Sequence, residues 1–117
     1  MNANELKRRT KRFALDTILL MENLPRTRTT EVLGKQLLRS GTSVGANYFS
    51  ACSARSTAEF IAKMGIVEEE LEETIYWIEL LIESGYLSPD QGKDLIREAK
   101  ELLAITVASI RTAKRKK

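Results

Sequence analysis

The 117-residue sequence contains no histidine. This removes the Ser-His-Asp triad, the Cys-His dyad, the usual zinc sites and the Glu-x-x-His signature of di-iron bundles together. A single cysteine, Cys52, cannot close an internal disulfide, so nothing asks for an oxidising compartment and a cytoplasmic location is expected. Prolines number two, glycines six, and aromatics make up only 6% of residues, so the dense turn signals of a sandwich or barrel are missing. No apolar run approaches the roughly 18 residues needed to span a bilayer. The stretch 102–110 is short and holds Thr106 and Ser109. Met1 to Met21 begins basic and turns apolar, but Asp16 interrupts it, Glu22 follows it, and no small-residue cleavage site appears, which excludes a signal peptide. Neither a phosphate loop nor a dinucleotide glycine signature is present. The expectation is a soluble, non-enzymatic chain with no cofactor, no metal and no membrane partner.

What is present is 43% hydrophobic and 30% charged sequence, rich in Leu, Ile, Glu, Lys and Arg, as one all-α domain requires. Leu6, Phe13, Leu20 and Leu24 predict a first helix over about 4–24, stopped by Pro25. Thr29 or Thr30 offers an N-cap for a second over about 30–53, with Leu33, Leu37, Ser40, Val44, Asn47 and Ala51 inward. Ser56-Thr57-Ala58-Glu59 fits a capping box opening a third, over 57–84. Its stripe Phe60, Met64, Val67, Leu71, Thr74, Ile78, Leu81 alternates steps of three and four without a break. Gly85 supplies a C-cap. Ser88-Pro89-Asp90-Gln91 starts a fourth helix over about 89–113, striped by Leu95, Ala99, Leu102, Thr106 and Ile110. Connections of a few residues force neighbouring helices antiparallel, so 1–117 is expected to form a single up-down-up-down four-helix bundle.

The second helix carries Gly34, Gly41 and Gly45, each about 1 kcal/mol worse than alanine in a helix interior. Together with Ala58, Ala62 and Gly65 they predict close packing of helices two and three near their shared turn. Gly41-x-x-x-Gly45 is too polar in its surroundings for a membrane dimer motif. Ser40, Ser43 and Asn47 lie along one helical line edged by Arg39. A buried polar line needs partners, and Glu72 and Glu73 on helix three are expected to supply them in a structural network. Ser43 lacks a base and is no nucleophile candidate. Helix three holds eight of the sixteen acids, of which Glu68, Glu69 and Glu70 fan around it as a solvated cluster rather than a metal site. Ile66, Tyr76, Trp77 and Leu80 lie off its seam, an excess of apolar surface that points to self-association.

The net charge of +3 understates a local concentration. Lys7, Arg8, Arg9, Lys11 and Arg12 open helix one, and Arg111, Lys114, Arg115, Lys116 and Lys117 close helix four. In the expected topology these ends meet at one pole, which also receives Arg55 from the turn between helices two and three. Eleven of nineteen basic residues gather there, as a phosphate backbone would require. Frayed, solubilising helix ends explain the same residues equally well. Phe13 is the one aromatic assigned to this pole, so base stacking is not expected.

Gln36 to Asn47, then Ala54-Arg55-Ser56 with Glu59 to Gly65, then Glu72-Glu73 and Tyr76 to Leu81, closely resemble the bacterial four-helix-bundle proteins called 23S rRNA intervening-sequence proteins. The resemblance spans nearly the whole chain. It implies a homopentamer, often encoded within insertions in large-subunit rRNA genes. A related branch, the accessory proteins of diversity-generating retroelements, forms basic pentamers that bind nucleic acid and a reverse transcriptase. No catalytic residue transfers. Where many relatives carry a Glu-Gly stretch after the asparagine, this chain has Tyr48 to Cys52, so no role of that carboxylate carries over.

Two functions follow as expectations. One is a homo-oligomeric scaffold that binds RNA or DNA backbone through the basic pole. The other is a protein-interaction module that docks a protein partner through helix three.

Overall fold

The computed structural model describes residues 1–116 as four α-helices: α1 (Ala3–Glu22), α2 (Arg28–Cys52), α3 (Thr57–Glu83) and α4 (Pro89–Arg115). Each starts on a side-chain cap. Asn2 accepts the Glu5 amide, Ser56 the Glu59 amide and Ser88 the Gln91 amide. The cap of α2 is Thr27 rather than Thr29 or Thr30, because Thr30 serves as the return arm of a Thr27–Thr30 capping box. At α3 the Glu59 carboxylate accepts the Arg55 N–H at 2.9 Å, one residue before the serine expected. The α3 end is a Schellman motif, in which Gly85 at φ 89° lets its N–H reach the Ile82 carbonyl and the Tyr86 N–H reach that of Leu81.

The helices form an antiparallel bundle of 47 × 21 × 20 Å, as helices of up to 27 residues at about 1.5 Å per residue require. Packing runs round the ring, α1 on α2, α2 on α3 and α3 on α4, with the α1–α4 side the most thinly joined. The core holds Leu6 and Phe13 of α1, Leu37 and Val44 of α2, the α3 seam from Met64 to Leu81, and Leu95, Ala99 and Leu102 of α4. Buried threonines complete the stripes. Thr10, Thr17, Thr74 and Thr106 each donate to the carbonyl four residues back, so a hydroxyl enters the core without an unmet donor.

The glycines of α2 face α1, not α3. A Cβ at Gly41 would lie 2.5 Å from Thr17 Cγ2, and one at Gly45 would lie 3.3 Å from the Thr10 carbonyl oxygen. Gly34 faces Met21 and Leu24. Gly65 has open space beside it, and Ala58 and Ala62 are exposed, so the tight seam expected between α2 and α3 belongs to α1 and α2.

Candidate functional site

One end of the bundle joins the start of α1, the α2–α3 turn and the last turns of α4. There Met1, Arg55, Ser56 and Phe60 share a groove of about 730 Å³ with Ile105, Thr112 and Lys116. The groove floor is apolar and its rim carries cations.

The cations of this end divide by partner. Arg9 leans across to α4, where Nε and Nη2 donate to both oxygens of Glu98 at 3.0 and 2.6 Å while Nη2 also lies 3.0 Å from Glu101. The Glu98 hydrogen bond, against the opposing effect of burial and with help from Glu101, raises the Arg9 pKa. Arg9 therefore ties α1 to α4 and is not free for a ligand. Arg12 pairs with Asp16 one turn along its own exposed face, at 3.2 Å. Lys7, Arg8, Lys11, Arg55, Arg111, Lys114, Arg115 and Lys116 have no ion-pair partner among the described residues. Lys117 lies outside the described residues. The aromatic at this end also differs from expectation. Phe13 is 1% exposed and belongs to the core, whereas Phe49 is 46% exposed with the Lys7 ammonium 5.4 Å from its ring centre.

Midway along the bundle a different polar group joins α2 to α3. Inside the core the Ser40 and Thr74 hydroxyls hydrogen-bond each other at 2.9 Å, the Thr74 oxygen accepting because its proton goes to the Glu70 carbonyl. Just outside it, Arg39 donates to Glu70 at 3.0 Å and to Glu73. Burial disfavours the Arg39 charge, but the Glu70 and Glu73 carboxylates outweigh it and its pKa rises. Glu72 is exposed and takes no part. Glu70, read as solvated, replaces it, buried at 8% exposure. Its position three residues past Val67 and four before Thr74 was the available signal. Ser43 and Asn47 bond only their own helix, to the carbonyls of Arg39 and Ser43. The network is thus narrower than the polar line suggested, and its links across helices are Arg39–Glu70/Glu73 and Ser40–Thr74.

Apolar side chains are exposed on three helices, with Val32 and Phe49 well separated on α2 and the others grouped on α3 and α1. Ile66 and Tyr76 are exposed on α3, with Trp77 partly buried and its ring edge-on to Tyr76 at 5.1 Å, and Leu80 partly buried. The Trp77 Nε1 is buried without a hydrogen-bond partner among the described residues. A second patch, unremarked in the helical stripes, is Leu15, Ile18 and Leu19 on α1. It was legible as apolar residues between the inward positions Phe13, Thr17 and Leu20.

Among the described residues no three His, Cys, Asp or Glu side chains converge to hold a metal ion. No helix there is long and apolar enough to cross a membrane. Tyr48 is buried beside Cys52, and burial first, then the thiol, pushes its phenol pKa up.

Residues 2–108 match the family model described as 23S rRNA-intervening sequence protein. The fold is similar to a crystal structure from Bacteroides thetaiotaomicron, titled a protein with unknown function from the S23 ribosomal protein family. The TM-score is 0.88 at 36% identity, over 95% of this chain and 99% of that one. No curated protein matches the chain.

Proposed function

Since the chain belongs to the 23S rRNA-intervening sequence protein family, we propose that it acts in the cytoplasm as a non-enzymatic, self-associating scaffold whose basic end holds RNA or DNA backbone with little sequence preference. The observation that carries this reading is the set of cations without acid partners, Lys7, Arg8, Lys11, Arg55 and Arg111 to Lys116, drawn from three segments to one end. Unpaired cations on frayed or terminal turns keep their hydration and their reach, and phosphate contacts from such side chains position a strand without reading its bases.

Self-association is supported by the two exposed apolar patches, Leu15, Ile18 and Leu19 on α1 and Ile66 and Tyr76 on α3. Two unlike patches on one subunit fit a head-to-tail contact that closes into a ring, and a ring would set several basic ends on one rim. A pentamer is the size we propose.

The test is fluorescence anisotropy of labelled single-stranded and duplex RNA against the protein over a salt series, with the assembly mass measured on the same sample. Binding should weaken linearly in log salt with a slope of several phosphates. Loss of residues 114–117 together with Arg8→Gln should weaken it for every sequence. A folded assembly that binds neither probe at low salt would instead favour protein docking through α3, for which the unpartnered Trp77 donor speaks.

A further inference from the structure

The one exposed aromatic ring at the basic end stands in a particular setting. Phe49 lies on the last turns of α2, and beside it runs a groove of about 320 Å³ along the α1–α2 seam. Its floor is made of small residues, Ala14, Thr42, Gly45 and Ala46, and Lys11 lines its edge. The groove is a by-product of packing. A Cβ at Gly45 would crowd the Thr10 carbonyl at 3.3 Å, and the missing side chain also leaves room beside the Phe49 ring. Lys7 stands over the ring, Lys11 borders the groove, and none of its lining residues is acidic.

A positive channel beside an exposed aromatic face suits one chemistry in particular. Every nucleobase has a π-face that stacks on an aromatic ring, while its phosphates seek ammonium groups. Bases inside a duplex already stack on each other and have no free face to offer. Resting on the reading of the basic end given above, we propose that Phe49 is a stacking platform for a base of an unpaired RNA or DNA strand, with Lys7 and Lys11 taking the flanking phosphates. When a base arrives, the Lys7 ammonium moves from the ring to the strand. The basic end thereby prefers single strands to duplexes, a selectivity that charge alone does not provide.

The experiment compares a labelled RNA strand, a DNA strand of the same sequence, their duplexes, and abasic strands with the same phosphates. Wild-type protein should bind the normal strand about tenfold more tightly than the abasic one. Phe49→Leu should bring that ratio near one without changing the salt slope, and Phe49→Trp should restore it. Whichever of RNA and DNA shows the larger ratio is the strand recognised. Phe49 is exposed, so an unchanged urea midpoint is expected for both variants. Equal binding of normal and abasic strands by the wild type, or a ratio that survives Phe49→Leu, overturns stacking while leaving the basic end intact. No binding of any probe at low salt removes both.

Discussion

Where helices face one another, arginine is spent on acid partners: Arg39 on Glu70 and Glu73, Arg9 on Glu98 and Glu101. Where helix ends meet, the side chains of Lys7, Arg8, Lys11, Arg55 and the last turn of α4 form no ion pair among the described residues. The same residue types thus do two jobs, and what separates them is the neighbour rather than the charge. Substitutions at the flanks should change stability and leave ligand binding alone, whereas substitutions at the basic end should do the reverse.

The largest effect on stability belongs to the tight α1–α2 seam. Gly41→Ala drives a methyl into Thr17 and should cost about 2–3 kcal/mol in urea unfolding, with Thr17→Ala in the same chain recovering part of it. Next comes Arg39→Met, which strands Glu70 in a buried position. Arg39 is 47% exposed and solvent screens the pair, so about 1–2 kcal/mol is expected rather than the full cost of a broken buried ion pair. Arg9→Met should cost at most about 1 kcal/mol, and the difference should shrink as salt is added. A loss at Arg9 larger than at Gly41 would reverse the ranking of close fit over charge.

The smallest effect is visible only in alkali. The folded pKa of Tyr48 is raised, so its contribution is complete below the unfolded value of about pH 10 and is lost as pH rises beyond it. The urea midpoint should fall above that pH, and Tyr48→Phe should flatten the decline. An unchanged decline in Tyr48→Phe would show that another group causes it.

The stripes were readable because steps of three and four residues specify a helix face directly. From Met64 to Leu81 every expected α3 position is buried, and the fourth helix keeps Leu95, Ala99, Leu102 and Thr106 inside. Periodicity does not say which neighbour a face meets, so nothing in the α2 stripe distinguishes α3 from α1, the helix its glycines receive. Glu70 shows a related limit: its spacing pointed inward, but its acidic neighbours Glu68 and Glu69 made it look like part of a solvated cluster. Arg9 looks like its basic neighbours in the sequence because its partners lie 89 and 92 residues away, on a helix whose register against α1 no local signal sets. Phe49 falls off the inward stripe of α2, where periodicity carries no signal of a site, and that same position is what exposes its ring.

The division between flanks and end is tested most directly by one salt titration of RNA binding on three proteins: wild type, Arg39→Met, and a variant with Lys114, Arg115 and Lys116 changed to Gln. Wild type and Arg39→Met should share one slope of log affinity against log salt. The end variant should lose affinity and show a slope smaller by about 0.7 for each phosphate contact removed, at an unchanged urea midpoint. Equal slopes and affinities in all three would contradict the assignment of the basic end to a phosphate backbone.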